Sequence, residues 1–429
     1  LETLQTLKVQ CTSLTMKVHV KSFGCSANHA EAEMIKGQYA KQLVSEEDAD
    51  MVVFNICTVK GDHNSLKAIK QFKEKYPDKK ITVTGCVTPS IVEPIKAIDP
   101  NARLVNTHNI TQLNDLVNTN TDALNHAKPI KLLKPRVRMN PVVGIVPISS
   151  GCLDACAFCS TRLVKGTLFS FPPETIAREV EKCVADGCKE IWITGQDTSC
   201  YGFERKTNLA RLLERIVAIP GDFKVRVGMG NPRHVPKYLD ELIAVMKHPK
   251  IFKFLHIPVQ AGNNNVLKTM RRGHSVETFV DIVRKIRAEI PDVTISTDII
   301  VGYPGETDEQ FQDTVRLVEE WTPEAVNIAR FAARPGTPAA SMDEQVHGNV
   351  SKERSRTLKK VHTAIALEQN KHWLGWEGDV IVDENVKDGM GGRNYAYKPI
   401  IVRDNVKKGD VVRVKIIEAQ AWALIGEAV

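Results

Sequence analysis

The chain has 429 residues, long enough for two to four domains with an ample core, and its 42% apolar and 25% charged content is ordinary for a folded, soluble protein. No apolar run approaches the length of a membrane-spanning helix, and no secretory h-region opens the chain, so a cytoplasmic protein is expected. A formal net charge of +7 suits an acidic partner such as nucleic acid, and ten cysteines in this setting point to metal binding or catalysis rather than a disulfide scaffold.

Residues 1–16 read as a leader without assigned function, with Met16 as a natural start. From there, short apolar runs at 17–23, 51–55 and 81–84 alternate with amphipathic stretches at 28–43, 62–76 and 90–98. This alternation predicts a parallel sheet with helices on its faces. Cys25, Cys57 and Cys86 each fall just beyond one of these strands, at the carboxyl ends where open parallel sheets collect ligands. Taken singly each reads as a buried core cysteine; their repeated position predicts a shared three-thiolate site.

Clear periodicity is lost over 99–141. Lys128, Lys131, Lys134, Arg136 and Arg138 cluster there without an acidic residue, as either a solvated tether or a strip that tracks phosphates.

A regular series then begins. Six strands are predicted at 142–148, 190–193, 223–227, 251–257, 293–301 and 325–331, with helices at 173–188, 209–217, 235–247, 264–290 and 307–321. Six β/α units suggest an open, incomplete relative of the eight-fold barrel, with chemistry at the carboxyl ends of the strands. Gly151–Cys159 follows the first of them and carries Cys152, Cys156 and Cys159 as C-x3-C-x2-C. Three thiolates are one short of a closed structural zinc site, and on a cubic iron–sulfur cluster they leave one iron open. Glycine-containing turns follow the other strands: Gly195-Gln196-Asp197, 228–232, 258–262 around Gln260, and 302–306. Together they predict a pocket on that face. A basic helix is expected at 349–371 and an all-β tail at 377–429, with strands at 379–383, 398–402, 410–417 and 421–425 and a turn or loop at 389–392. A small RNA-binding barrel fits that tail.

These residues carry a family resemblance covering nearly everything after Met16. With Phe158 before its third cysteine, the C-x3-C-x2-C loop resembles the radical S-adenosylmethionine (SAM) motif. Phe-Gly-Cys-Ser-Ala-Asn at 23–28, Asn-Ile-Cys-Thr-Val at 55–59 and Thr-Gly-Cys at 84–86 resemble the amino-terminal domain of radical SAM methylthiotransferases. His-Ile-Pro-Val-Gln at 256–260, Val-Gly-Tyr-Pro-Gly-Glu at 301–306, Gly-Arg-Asn at 392–394 and Tyr-Lys-Pro at 397–399 resemble its later barrel segments and TRAM domain. Ser-Ala-Asn after Cys25 is most similar to the archaeal and eukaryotic branch acting on N6-threonylcarbamoyladenosine in tRNA, and a chain without a hydrophobic carboxyl-terminal tail is expected to be archaeal.

The resemblance implies an α/β fold with an open parallel-sheet amino-terminal domain at 17–127, a basic linker at 128–141, a partial (β/α)6 radical SAM barrel at 142–371 and a TRAM barrel at 372–429. It implies two 4Fe–4S clusters as cofactors, one on Cys152, Cys156 and Cys159 with SAM on its open iron, and an auxiliary one on Cys25, Cys57 and Cys86 that carries the sulfur to be inserted. One SAM methylates that sulfur; a second yields the 5′-deoxyadenosyl radical suited to the unactivated C–H bond at carbon 2 of the adenine. Phe158, Gly195, Gln196, Asp197, Gln260 and Asp298 lie where SAM contacts are expected, no further catalytic residue is implied, and tRNA is the partner of a monomer whose sulfur donor and reductant stay undefined. Lys165 departs from the family's usual arginine before glycine and loses its planar fork. Cys11, Cys183, Cys188 and Cys200 match no ligand position; Cys183 reads as core. The competing readings are methylthiolation of isopentenyladenosine or of a ribosomal-protein aspartate, and a non-catalytic metal-containing RNA-binding protein.

Overall fold

The computed structural model describes residues 16–58, 62–125 and 127–429. The leader through residue 15, with Cys11, and Val59 of the 55–59 motif lie outside the described residues. Four parallel strands, β1 (Val18–Ser22), β2 (Met51–Ile56), β3 (Lys80–Gly85) and β4 (Arg103–Asn106), stand in sequence order in one sheet. Every residue of β2 is buried, as a parallel strand covered on both faces requires. Val52, Phe54 and Ile56 join α2 (Asp62–Lys75) and α3 (Pro89–Ile98) in one core, while Met51 and Val53 pack with α1 (Ser26–Gln38) in another. Strand β4 is absent from the sequence-based expectation, because four residues of Arg-Leu-Val-Asn carry too little alternation to register.

The barrel has the six expected parallel strands. β5 (Val143–Pro147), Glu190–Thr194 and Lys224–Val227 form one three-stranded sheet, and Phe254–His256, Thr294–Val301 and Ala325–Arg330 form another. A single bridge between Val225 and Ile251 and the 2.9 Å bond from Gly230 N to His256 O stitch them together. Among the described residues no ladder joins the first strand to the last, so the barrel is open.

Two expectations for this half of the chain are corrected. The helix expected over 264–290 is two, Asn264–Thr269 and Val276–Glu289, each with its own Asn or Ser N-cap. The break falls at Arg271 and Gly273, both at positive φ (58° and 68°), and it turns Arg272 inward. Gly389–Arg393 is a strand rather than a turn or loop. It reads as a turn because glycine usually marks one, but here a Cβ on Gly392 would sit 2.5 Å from the Ile381 carbonyl oxygen across the ladder, so glycine is what lets the strands approach. With Glu377–Val386, Pro399–Val402, Leu424–Ala428 and Val411–Ala419 it closes a five-stranded barrel. No helix among the described residues is long and apolar enough to cross a membrane.

The basic stretch at 128–141 is neither tether nor phosphate strip. Arg136 forms a buried 2.9 Å ion pair with Glu179 and donates to the Ala30 and Lys131 carbonyl oxygens; Arg138 pairs with Asp186 at 2.8 Å; Lys131 is buried against Glu31. Lys134 is the exposed one among these five. The stretch staples the first domain to the barrel.

The small barrel docks through an apolar seam of Val142, Phe252, Phe254, Ile381 and Tyr397, beside which Glu190 is buried. Burial pushes the Glu190 carboxyl up to about 8, helped by the nearby Asp383 charge, and burial raises Asp383 to about 6. The folded state therefore holds protons that the unfolded chain has released, and stability falls as pH rises from the ordinary carboxylate range through about 8. Glu190→Gln is expected to flatten that alkaline decline in the thermal midpoint; calorimetry from pH 6 to 9 checks it, and an unchanged slope would count against it.

Candidate functional site: two three-cysteine loops

The first loop is built at the ends of β1, β2 and β3. Cys25 occupies the N-cap position of α1, Cys57 follows β2, and the Cys86 amide donates to the Ile56 carbonyl oxygen at 3.0 Å. Gly24 (φ 117°) makes the approach possible, since a Cβ there would lie 2.3 Å from Cys57 Cβ. Asn28 buttresses the turn, accepting from Cys25 Sγ at 3.2 Å and donating to the Ile56 carbonyl oxygen at 2.9 Å. The Cys57 thiol hydrogen-bonds to Cys25 and lowers its pKa to about 6, against the opposing effect of burial. Burial raises Cys86, and the positive charge of Lys165 works the other way. Cys25, Cys57 and Cys86 thus stand at the carboxyl ends of three adjacent strands of one sheet, tied together by the Gly24–Cys57 approach and the Cys86–Ile56 bond.

The second loop leaves β5 through Ser149, Ser150 and Gly151. Gly151 has φ 80°, a Cβ on it would collide with the Thr167 carbonyl oxygen, and its amide donates to Gln196 Oε1 at 2.7 Å. The Cys152 amide donates to the Gly166 carbonyl oxygen, Ala157 to Met270, and Cys159 to Cys156. Phe158 packs partly buried beside Ala261, Met270 and Tyr303.

Several groups that hold this loop were not singled out from sequence. Asp154 is buried and accepts from Asn231 Nδ2 at 2.7 Å, His234 Nε2 at 2.8 Å and Arg233 Nη1 at 2.6 Å. Burial opposes its ionisation, yet the His234 hydrogen bond and charge, with Arg233 and Arg272, hold the carboxyl below its usual value. Arg272 donates to Cys156 Sγ at 3.2 Å and to Asn231 Oδ1 and the Pro258 carbonyl oxygen at 3.1 Å. Cys200 is buried and its thiol donates to the Asp197 carbonyl oxygen at 3.4 Å, beside Cys152, whose pKa it lowers. The signal available was Asp154 inside the cysteine loop and Asn231 in the glycine-rich turn it meets; Arg272 was hidden inside the single helix expected over 264–290.

Asp154→Ala strands the buried His234 and Asn231 side chains. It is expected to cost on the order of 3 kcal/mol at neutral pH, a loss that shrinks as acid protonates the wild-type carboxyl. Thermal unfolding at pH 7 and at about pH 2.5, well below the ordinary aspartate value, measures both parts.

The remaining expected contacts sit around this loop. Asp197 is buried, its Oδ1 accepting from Ser199 N and Oγ and from Asn231 N at 2.6–3.0 Å. Asp298 Oδ1 accepts from His256 Nε2 and Asn327 Nδ2, both at 2.8 Å, and Gln260 has φ 78°. A Cβ on Gly195 would come 2.9 Å from Ser149 Oγ. The Cys152 sulfur and carboxylate oxygens of Asp154 and Asp197 lie within 4.8 Å of one another, but Asp154 is engaged through both oxygens and Asp197 through Oδ1. Soft donors at each loop are therefore the cysteine sulfurs, which suit an iron–sulfur centre rather than a hard cation. Ser149 Oγ, Ser150 Oγ, Asp197 Oδ2 and Gln260 Oε1 are buried without a hydrogen-bond partner. Such atoms cost about 1–3 kcal/mol each when left unsatisfied, so the surroundings fit a polar ligand such as SAM.

Residues 146–318 match the family described as the radical SAM superfamily, and residues 17–106 match the family described as Uncharacterized protein family UPF0004. In fold the chain is similar to the radical S-adenosylmethionine methyltransferase TsrM from Kitasatospora setae (TM-score 0.55, 11% identity, covering 76% of this chain and 77% of that one). The barrel and its loop are thus those of a radical SAM protein. A "Probable threonylcarbamoyladenosine tRNA methylthiotransferase" of Pyrococcus horikoshii is 38% identical, covering 96% of this chain and 100% of that protein. One of Archaeoglobus fulgidus is 39% identical over 96% and 98%, and the Homo sapiens "Threonylcarbamoyladenosine tRNA methylthiotransferase" 34% over 96% and 74%. The chain belongs to the threonylcarbamoyladenosine tRNA methylthiotransferase family.

Proposed function

We propose that the protein methylthiolates carbon 2 of N6-threonylcarbamoyladenosine beside the anticodon of tRNA by SAM-dependent radical chemistry. The observation that supports this most is the pairing of two incomplete cysteine loops, one per domain, joined by the buried contact of Lys165 with Glu31. Cys152, Cys156 and Cys159 would hold a 4Fe–4S cluster that would supply one-electron cleavage of SAM, and Cys25, Cys57 and Cys86 a second that would supply a binding place for the sulfur. Around them the chain's own groups orient and shield. Gln196 pins the Gly151 amide, Asp154 ties the loop to the third barrel strand's turn, and Arg272 donates to Cys156. Phe158, Gly195, Asp197, Gln260 and Asp298 line the region assigned to SAM.

We assign residues 17–127 to the sulfur-carrying domain, 128–141 to the linker, 142–371 to the radical SAM domain and 372–429 to an RNA-binding TRAM domain, in a cytoplasmic monomer. On the helix Gly348–Lys371, Lys352, Arg356 and Lys359 recur at helical spacing and are exposed, whereas Arg354 is buried against Glu306. This outer face is assigned to tRNA phosphates. Replacing the three exposed residues by alanine is expected to weaken tRNA binding at low salt and to reduce the salt dependence by roughly one unit of slope per lost contact.

Nucleoside mass spectrometry of tRNA from a strain lacking the protein tests the function. The 2-methylthio derivative is expected to vanish while its unmodified precursor accumulates. Normal levels of it, or loss of a methylthio group from isopentenyladenosine or a ribosomal aspartate instead, would overturn the proposal.

A further inference from the structure

Between the two cysteine loops lies a buried ionic group that the reaction as described does not use. Lys165, at the end of the short helix Thr161–Lys165 after the Cys152–Cys159 loop, reaches out of the barrel into the first domain. Its ammonium nitrogen lies 2.7 Å from Glu31 Oε1, and Lys131 Nζ lies 2.7 Å from the same oxygen. Thr107 Oγ1 bridges all three, at 2.6 Å from Glu31, 2.7 Å from Lys131 and 2.5 Å from Lys165. The three charged side chains are no more than about 6% exposed.

Two ammonium groups on one carboxylate leave a formal charge of +1 in the interior. Their neighbours do not cancel it. The cavity of about 20 Å³ beside them is lined by Ala27, Ala30, Met34, Pro147, Ser149, Ser150, Phe171 and Gln196, all neutral. Arg136, which also lines it, is matched by Glu179. An uncompensated charge at such depth costs several kcal/mol, so an anion is expected close by. The clamp is tied to the first loop by its own backbone: the Thr107 amide donates to the Gly85 carbonyl oxygen at 2.8 Å, one residue before Cys86, and Glu31 stands on α1, whose N-cap is Cys25. The sulfurs of that loop are thus the groups that can meet this requirement, and, against the opposing effect of burial, Glu31, Cys86 and Cys25 favour the Lys165 ammonium.

We propose that Lys165, clamped by Glu31, Thr107 and Lys131, is a positioning residue that presents a fixed positive charge to the Cys25–Cys57–Cys86 site and raises the reduction potential of the iron–sulfur centre held there. This rests on the reading that those cysteines bind a cluster. Because Lys165 follows Cys159 by six residues and contacts α1 directly, the same side chain makes the electrostatics of the sulfur-carrying site depend on correct docking of the barrel loop. The departure from arginine noted in the sequence thus preserves what the site uses, a buried cation, in a shape that fits one carboxylate oxygen and one hydroxyl.

The test is a potentiometric EPR titration of the anaerobically reconstituted full chain with Cys152, Cys156 and Cys159 all changed to alanine, so that the first-domain cluster alone is read. Lys165→Met is expected to lower the midpoint potential by at least about 59 mV, a tenfold change in the reduced-to-oxidised ratio for one electron. Lys165→Arg is expected to stay near the parent value, and Glu31→Gln, which disturbs the same hydrogen bonds while removing a negative charge, is expected not to lower it. An unmoved potential in Lys165→Met, or a drop of similar size in Lys165→Met and Glu31→Gln, would overturn the proposal by showing no charge effect. If Lys165→Met fails to take up iron, a drop in Glu31→Gln or Lys165→Arg overturns it in the same way, and parent-like values in both support it. A parent protein with no iron–sulfur signal refutes instead the cluster assignment on which the proposal stands.

Discussion

A Cys57→Ser protein should still cleave SAM reductively to 5′-deoxyadenosine while forming at least 100-fold less 2-methylthio product, a loss of about 2.7 kcal/mol of transition-state stabilisation. The separation follows from architecture. Cys57 sits at the end of β2 under Gly24, in the first domain's own core, while the SAM-cleaving loop hangs from β5 and is held by Gln196, Asp154 and Arg272. Serine keeps the volume beneath Gly24, so the fold survives, but it replaces a soft sulfur with a hard oxygen and removes the hydrogen-bonding thiol that lowers Cys25. The mirror variant, Cys156→Ser, should lose both readouts. Chromatographic assay of 5′-deoxyadenosine beside nucleoside mass spectrometry distinguishes the two. Equal loss of both activities in Cys57→Ser would mean that the two loops are not functionally separate.

The second large effect concerns the staple between domains. Glu179→Ala is expected to destabilise domain docking by about 3–5 kcal/mol, because the buried Arg136 guanidinium loses its ion pair. Glu179 Oε2 also accepts from the Leu133 amide at 2.5 Å, and Leu133 is held at φ 58°, so the linker loses its anchor as well as its charge balance. The expected signature is a separate, lower-temperature unfolding transition and faster proteolysis within 128–141, with Glu179→Gln intermediate. A single unchanged transition would contradict the staple.

How much of this was legible in the sequence depended on how local each signal was. The six barrel strands, the Cys152–Cys159 spacing and the strand-end positions of Cys25, Cys57 and Cys86 are all visible within a few residues, because parallel strands announce themselves as short apolar runs. The role of the basic stretch was not. Glu31, Glu179 and Asp186, which pair with Lys131, Arg136 and Arg138, lie 43 to 100 residues away, so a local reading sees only unpaired positive charge. The break at Arg271 was masked because the helices on either side of it run close together, and the strand Gly389–Arg393 because its glycines serve close packing rather than a turn. In the sequence Lys165 stands out only as a departure from a pattern. Its partners, Glu31 and Thr107, are separated from it by 134 and 58 residues.

The central claim is that one chain carries two separate three-cysteine centres, one per domain. Iron analysis of the anaerobically reconstituted protein tests it most directly. About eight irons per chain are predicted for the wild type, about four after Cys25, Cys57 and Cys86 are replaced by alanine, about four after Cys152, Cys156 and Cys159 are replaced, and none when all six are gone. A wild type holding about four irons, unaffected by losing the first-domain cysteines, would contradict it.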